Sequence, residues 1–174
     1  MITYIVGDIF QSPAQVLTNP VNCVGVTGKG LALEFKNRYP NLFEDYKASC
    51  NRNEVRIGFP YIWENNYVQI LNFPTKRHWK ETSEIQTIDV GLKYLAENYQ
   101  KMGIQSLAMP PLGCGLGGLE WSEVYPLIEK YLEDIPDLEV FVYESEALRS
   151  LRNSNKKDLE RRQKIDSGIA ASSP

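Results

Sequence analysis

Cysteine is scarce in this sequence, and long hydrophobic runs are absent. The 174 residues contain three cysteines, Cys23, Cys50 and Cys114, an odd number with no CxxC pair. This pattern argues against a disulfide framework or a structural zinc site and is typical of a reducing compartment. No stretch approaches the roughly 18 apolar residues of a membrane-spanning helix, and no signal-peptide pattern opens the chain. We therefore expect a soluble, cytoplasmic protein.

A surplus of basic charge is also missing. The net charge is −3, and residues 149–174 hold seven basic against three acidic residues. The first 148 residues therefore carry 12 basic and 19 acidic residues, a net charge of −7. An acidic body is not typical of a general nucleic-acid-binding protein. Any action on nucleic acid should therefore depend on a local site.

The chain does contain an alternation of short strands and amphipathic helices. The patterns predict strands at 2–6, 15–18, 55–58, 61–63, 67–73, 104–109 and 138–143. Helices are predicted at 31–39, from Asn41, from Ser83 and from Ser122, the last three residues serving as N-caps. This alternation indicates an α/β fold, a mixed sheet with helices on both faces. We expect one domain over residues 1–152 and a polar, basic, partly disordered tail or linker over 153–174.

Two glycine-rich loops each follow a predicted strand and precede a predicted helix. The first glycine loop (residues 23–30) contains Gly25, Gly28 and Gly30, and the second glycine loop spans residues 113–118. Unpaired N–H groups and the helix dipole make such a loop an anion site. Because carboxyl ends of strands gather at one edge of an open α/β sheet, the two loops should face each other and clasp a pyrophosphate. Asn19 and Asn22 could then hydrogen-bond a sugar or a base.

A charged segment, Pro74 to Thr82, lies between these loops in the chain. Its core, Lys76-Arg77-His78-Trp79-Lys80, mixes cations with an aromatic ring. That mixture suits the binding of single-stranded nucleic acid, because bases can stack on the aromatic ring and phosphates can pair with the cations. It also fits an ordinary solvated loop, and the residues alone leave both interpretations open.

Four motifs in order carry a resemblance to a known family. They are Gly7-Asp8-Ile9, Asn19-Pro-Val-Asn22, Gly28-Lys-Gly30-Leu-Ala32 and Pro111-Leu-Gly-Cys-Gly-Leu116. Over about residues 1–148 the chain resembles a macrodomain, a three-layer ADP-ribose-binding fold. Within macrodomains it is similar to the branch of terminal ADP-ribose glycohydrolases, of the bacterial type directed at DNA.

The resemblance implies a role for each matching residue. Asp8 and Ile9 would hold the adenine, Asn22 would orient the distal ribose, and Lys80 would act at its anomeric carbon. Further ADP-ribose contacts are implied for Thr27, Gly28, Lys29, Gly30, Leu31, Pro111, Leu112, Gly113, Cys114, Gly115, Leu116 and Gly117. Lys76, Arg77 and Trp79 are candidates for DNA contact. No cofactor or metal is implied, and we expect a monomer.

The implied activity is removal of ADP-ribose from thymine bases of single-stranded DNA, reversing a toxin ADP-ribosyltransferase. Eukaryotic members of the branch have an acidic residue after Gly-Cys-Gly-Leu, whereas this chain has Gly117. Three alternatives stay open: a non-catalytic ADP-ribose-binding module, a glycohydrolase acting on acidic side-chain esters of proteins, and a phosphatase acting on ADP-ribose 1″-phosphate. Lys80 could act as a covalent nucleophile or as a charge that stabilises the departing base.

Overall fold

Strands and helices alternate along the chain much as the sequence predicts. The computed structural model describes residues 1–170, and within them the chain forms six strands and five α-helices. The strands are β1 Ile2–Ile5, β2 Val16–Asn22, β3 Tyr61–Glu64, β4 Gln69–Lys76, β5 Ser106–Met109 and β6 Glu139–Tyr143. The helices are α1 Gly30–Arg38, α2 Pro40–Asn51, α3 Ile85–Asn98, α4 Trp121–Leu132 and α5 Glu146–Ala170. A 3₁₀ turn, Ile9–Gln11, follows β1.

The strands form one mixed sheet, which confirms the predicted sheet type. Their order is β1-β6-β5-β2-β4-β3, and every neighbouring pair is parallel except β3 with β4. The carboxyl ends of β1, β2, β4, β5 and β6 therefore meet at the same edge. This edge is where both glycine loops and the charged segment leave the sheet.

Alternate side chains along each central strand pack against different helices. Leu71 of β4 and Leu107 of β5 belong to the core cluster formed with α3 and α4. Their neighbours Ile70 and Ala108 belong to the cluster formed with α1 and α2. The two-residue period of a strand thus places helices on both faces, giving the predicted three layers.

Two strands extend further than the sequence predicts. β2 continues through Pro20 to Asn22, and β4 continues to Lys76. β5 pairs with β2 only through Val16 and Leu17, so the later part of β2 has a free edge on that side, where proline is tolerated.

The predicted strand at 55–58 is wrong, because these residues form a loop between α2 and β3. Val55 still buries its side chain, 4% exposed, in a small cluster with Tyr46 and Cys50. The apolar side chain is therefore buried without sheet pairing. Sequence periodicity alone cannot distinguish a buried residue of a loop from a buried residue of a strand.

The three predicted N-caps are also wrong. Glu84 and Glu120 precede α3 and α4, while Tyr39 precedes α2, whose first residue is a proline. Ser83 lies buried one residue before the α3 cap, and its N–H donates to the Gly117 carbonyl at 2.8 Å. A tertiary contact therefore takes the place of local capping at this helix.

Helix α5 begins inside the domain and covers most of the segment predicted to be a tail. It runs through Ala170, while the disorder expected at the very end of the chain falls on residues 171–174, outside the described residues. The division at residue 152 stays a prediction. Among residues 1–170 no helix combines the length and the apolar character needed to cross a membrane.

A buried ion pair fixes the start of α5. The Glu144 side chain is fully buried and accepts hydrogen bonds from Arg152 at 2.7 and 3.1 Å and from the Trp121 indole at 3.1 Å. The Arg152 guanidinium also lies 3.6 Å from the Tyr4 ring centroid. Because Glu144 directly follows β6, this network joins α5 and α4 to the strand end beside the shared sheet edge.

Replacing Arg152 by methionine should lower the free energy of unfolding by about 3 kcal/mol, since it leaves the Glu144 carboxylate buried without its main partner. Urea denaturation measures the change. Lys157→Met, on an exposed position of the same helix, is the control and should shift stability by less than about 0.5 kcal/mol. Equal effects of the two variants would show that the start of α5 is not part of the domain.

Candidate active site

A cleft of about 1260 Å³ opens at the carboxyl edge of the sheet. Its walls come from segments that follow β1, β2, β4 and β5, together with the last residue of β6. The cleft brings together these residues predicted for the site: Asp8, Ile9, Asn22, Thr27, Gly28, Lys29, Gly30, Leu31, Lys76, Trp79, Lys80, Pro111, Gly113, Cys114, Gly115, Leu116 and Gly117.

Three predicted site residues do not line the cleft. Asn19 is buried in β2, where its Nδ2 donates to the Asn72 Oδ1 at 3.0 Å, so it is not among the lining residues. Leu112 is fully buried and packs into the core cluster of α3 and α4, because this residue of the turn after β5 points inward. Arg77 is exposed, and its side chain lies outside the cleft lining. The Leu112 side chain is therefore not available to a ligand in the cleft. A backbone contact from Leu112 stays a prediction, and Arg77 stays a candidate for contact outside the cleft.

Sequence reasoning missed several lining residues. Five residues that also line the cleft are Pro20, Val21, Thr75, Tyr143 and Leu148. Tyr143 is the last residue of the strand predicted at 138–143, so its position at the carboxyl end of a strand could have indicated a place in the site. Leu148 carried no such signal, because it comes from the first turns of α5.

Asn22 organises the first glycine loop. Its Oδ1 accepts from the N–H groups of Val24 at 3.0 Å and Val26 at 3.4 Å, and its Nδ2 donates to the Val26 carbonyl at 2.6 Å. The buried Tyr46 hydroxyl lies 2.8 Å from the Asn22 carbonyl and 2.9 Å from its Oδ1. The side chain thus shapes the loop, and its contact with a ribose stays a prediction.

The first turn of α1 is open to an anion. Its N-cap residue, Lys29, has extended backbone and provides no side-chain cap within the described chain. Gly30 has φ of +64°, which favours glycine, and turns the chain into the helix. The free N–H groups and the helix dipole therefore point toward the cleft, as the sequence predicts for a phosphate site.

The two glycine loops face each other across the cleft. A Cβ atom added to Gly30 would lie 3.3 Å from Leu116 Cδ1 of the second glycine loop. Gly113 and Gly118 have φ of +73° and +78°, and the Gly113 carbonyl accepts from the Leu119 N–H at 2.9 Å. This geometry exposes backbone on both sides of a narrow space, which suits a pyrophosphate.

Gly117 has no room for a side chain. A Cβ atom there would collide with the Gly113 carbonyl oxygen and would lie 2.5 Å from the Ser83 Oγ. An acidic residue of the kind found in the eukaryotic branch is therefore incompatible with this loop conformation.

Lys80 lies on the lysine loop (residues 77–82), between the two glycine loops. The exposed Lys80 side chain places its Nζ 5.1 Å from the Trp79 ring centroid, and the Trp79 ring stacks on His78 at 5.7 Å. Trp79 is 47% exposed and lines the cleft. A lysine side chain and a partly exposed aromatic ring therefore lie together in the cleft lining.

Two other groups predicted for the site have defined environments. The Asp8 carboxylate accepts from the Phe10 N–H at 2.9 Å and is otherwise exposed.

Burial raises the pKa of the Cys114 thiol to about 12, and the negative charges of Glu120 and Glu123 make smaller contributions in the same direction. Burial thus disfavours the thiolate, which is the form in which a cysteine acts as a nucleophile. In residues 1–170 no three His, Cys, Asp or Glu side chains are grouped to hold a metal ion.

The fold and the cleft define a macrodomain. The Macro domain family model matches residues 18–128, and the chain belongs to that family. It is 42% identical over 147 residues to the DNA ADP-ribosyl glycohydrolase of Mycobacterium tuberculosis, covering 82% of this chain and 42% of that protein. The chain therefore spans less than half the length of this relative.

Solved structures give the same result. The macrodomain of M. tuberculosis DarG matches with a TM-score of 0.79 and 42% identity, covering 82% of this chain and 97% of that one. Thermosipho africanus DarTG in complex with ADP-ribose matches with a TM-score of 0.76 and 42% identity, covering 81% of this chain and 41% of that one. The predicted resemblance to macrodomains and the predicted fold are confirmed.

Gly117→Ala should lower the free energy of unfolding by about 1–3 kcal/mol and weaken ADP-ribose binding, because the added methyl group must displace the Gly113 carbonyl or Ser83. Thermal unfolding and titration calorimetry measure the two effects. Gly115→Ala is the matched control for the unfolding measurement, since within residues 1–170 nothing lies within 4 Å of its Cβ position. Comparable losses of stability in both variants would contradict the packing of this loop.

Proposed function

We propose that this protein is an ADP-ribosyl glycohydrolase that removes ADP-ribose from thymine bases of single-stranded DNA. The observation that carries the proposal is Lys80 on the wall of the cleft that both glycine loops line. The similarity to proteins named DNA ADP-ribosyl glycohydrolase supports the choice of DNA as substrate.

ADP-ribose would lie along the cleft in one direction. The adenine would contact Asp8 and Ile9 after β1, and the pyrophosphate would lie between the facing glycine loops. This arrangement directs the distal ribose toward Asn22 and the lysine loop. Oriented N–H groups bind the pyrophosphate without a cluster of cations, which suits an acidic domain. On this basis we propose that binding needs no metal ion.

The reaction would break the bond between the anomeric carbon and a base nitrogen. Positive charge develops on the sugar as the base departs, as in other glycoside hydrolyses. Water adds its oxygen to the anomeric carbon, and the base nitrogen takes up the remaining proton. Lys80 could act in one of two ways. As a neutral amine it would replace the base at the anomeric carbon: the ring opens, the base departs, the two amine protons pass to the ring oxygen and the base nitrogen, and water then hydrolyses the resulting Schiff base to restore the amine. As an ammonium group it would stabilise the departing base without a covalent bond.

The form of the second glycine loop favours a DNA substrate over a protein ester. Gly117 fills the position where the eukaryotic branch has its acidic group, and the loop leaves no space for one. The exposed Trp79 ring beside Lys80 offers a surface on which a base can stack. A module that binds ADP-ribose without cleavage stays the alternative.

We also propose that the activity opposes a DarT-type toxin. The Thermosipho africanus relative is named as a fusion of a DNA ADP-ribosyl transferase with a DNA ADP-ribosyl glycohydrolase, and it is 42% identical to this chain over 161 residues. Such a fusion places the forward and the reverse reaction in one protein, as expected of a toxin with its antitoxin.

Lys80→Ala should reduce kcat on a thymidine-ADP-ribosylated oligonucleotide by on the order of 100-fold or more, with ADP-ribose affinity nearly unchanged. ADP-ribose release, followed in the presence of EDTA, and titration calorimetry measure the two quantities. Lys80→Arg separates the roles, because it keeps the charge but cannot act as an amine. Inactivity of Lys80→Arg indicates the covalent route, and substantial activity indicates charge stabilisation.

A glutamate-ADP-ribosylated peptide is the competing substrate in the same assay. Release from the peptide alone would move the function to protein. ADP-ribose binding with no release from either substrate would leave a binding module, and full activity of Lys80→Ala would contradict the assigned role of the lysine.

Trp79→Ala should raise KM for the oligonucleotide by roughly 5- to 100-fold, because stacking contributes about 1–3 kcal/mol per base. The dissociation constant for free ADP-ribose should not change. Trp79→Phe keeps an aromatic ring and should retain most of the affinity for the oligonucleotide. An unchanged KM in Trp79→Ala would exclude stacking on this ring.

A further inference from the structure

The register between β2 and β4 shifts by one residue at the end of β4, beside the cleft. Val21 of β2 pairs with Pro74, but Asn22 pairs with Lys76, so that Thr75 is one extra residue in β4. The Thr75 hydroxyl donates to the Val21 carbonyl at 3.4 Å. A bulge shifts by one the residues that face each side of the sheet and often redirects a side chain beside an active site. Here the residue that follows the bulge, Lys76, lines the cleft.

The Lys76 ammonium group binds the lysine loop. Its Nζ donates to the carbonyl oxygens of Trp79 and Glu81, each at 3.2 Å. These two carbonyls lie on either side of Lys80 in the chain. Two of the three N–H donors of the ammonium group are thus used within the protein. In the described part of the chain, Lys76 forms no ion pair with a carboxylate.

Other hydrogen bonds make the same loop compact. The Lys80 N–H donates to the His78 Nδ1 at 3.2 Å, and the Glu81 N–H donates to the His78 carbonyl at 3.0 Å. These contacts lie within the loop itself. The Lys76 side chain, in contrast, connects the loop to the end of a central strand, and therefore to the rigid sheet.

We propose that Lys76 is a positioning residue that holds the backbone on both sides of Lys80. This inference rests on the proposed function and changes the role that the sequence suggests for Lys76, which was contact with DNA. A loop that carries a catalytic side chain needs such a connection, because a displacement of about 1 Å can cost 100-fold in rate. The extra residue, Thr75, directly precedes Lys76, and both residues line the cleft.

The two roles of Lys76 predict different substrate dependence. A residue that contacts a DNA phosphate matters only when the substrate carries flanking phosphates, and its loss reduces the salt dependence of binding. A residue that positions Lys80 matters equally for ADP-ribosylated thymidine nucleoside, which has no flanking DNA phosphate. Comparing the nucleoside with an oligonucleotide therefore separates the two.

The test is the kinetics of Lys76→Met on both substrates over a range of salt concentrations. We expect kcat to fall between about 10- and 100-fold on each substrate, with an unchanged slope of log(kcat/KM) against log salt for the oligonucleotide. The control is Lys93→Met, an exposed lysine on α3, which removes the same charge. A loss confined to the oligonucleotide, with a slope smaller by about one, would overturn the proposal and assign a phosphate contact.

Hydrogen exchange of residues 77–82 provides a readout that does not depend on activity. Lys76→Met should exchange these amides faster than the wild-type protein, and Lys93→Met should not. Unchanged exchange in Lys76→Met would overturn the positioning role even if activity were lost. If the wild-type protein releases no ADP-ribose from either substrate, the proposed function fails, and the exchange experiment alone decides whether Lys76 holds the loop.

Discussion

Two backbone hydrogen bonds join the three segments of the site. The Cys23 N–H donates to the Arg77 carbonyl at 3.0 Å, and the Ser83 N–H donates to the Gly117 carbonyl at 2.8 Å. The first connects the lysine loop to the first glycine loop, and the second connects Ser83, the residue that follows the lysine loop, to the second glycine loop. Segments far apart in the sequence thus become one surface, because each leaves the same edge of a parallel sheet. Both bonds join backbone groups, so the shape of the site depends mainly on the backbone conformation of its loops. In the two glycine loops, glycine permits that conformation.

Much of this arrangement follows from the sequence, and the exceptions have physical causes. The glycines that follow apolar runs predicted the positions of both loops. The alternation of strands and helices predicted parallel strands, whose carboxyl ends place the two loops at the same edge of the sheet. The bulge at Thr75 was not predictable, because it depends on pairing between β2 and β4 and leaves no compositional signal. Ser83 looked like a helix cap but is buried against Gly117, so a tertiary contact overrode a local preference. Leu112 belongs to a motif that lines the cleft, yet the turn directs this one side chain into the core.

The cleft combines neutral backbone N–H donors with lysine side chains, among them Lys80. Backbone N–H groups can bind a pyrophosphate without adding positive charge to an acidic domain. In the proposed reaction Lys80 would act near the place where the base leaves, either as an amine or as a cation. Gly117 leaves no space for an acidic side chain beside the lysine. In the proposed reaction the lysine therefore acts without the help of a carboxylate at this position. The position of Lys80 then matters more for the reaction. We propose that Lys76, at the end of β4, holds the backbone on both sides of Lys80.

The central claim is that ADP-ribose lies in this cleft with its distal ribose against the lysine loop. A crystal structure of the wild-type protein with ADP-ribose tests it most directly. We expect the adenine beside Asp8 and the pyrophosphate between the two glycine loops. The anomeric carbon should lie within about 4 Å of the Lys80 Nζ, near the separation at which groups react. The opposite orientation, with the adenine at the lysine loop and the anomeric carbon beside Asp8, would contradict the account.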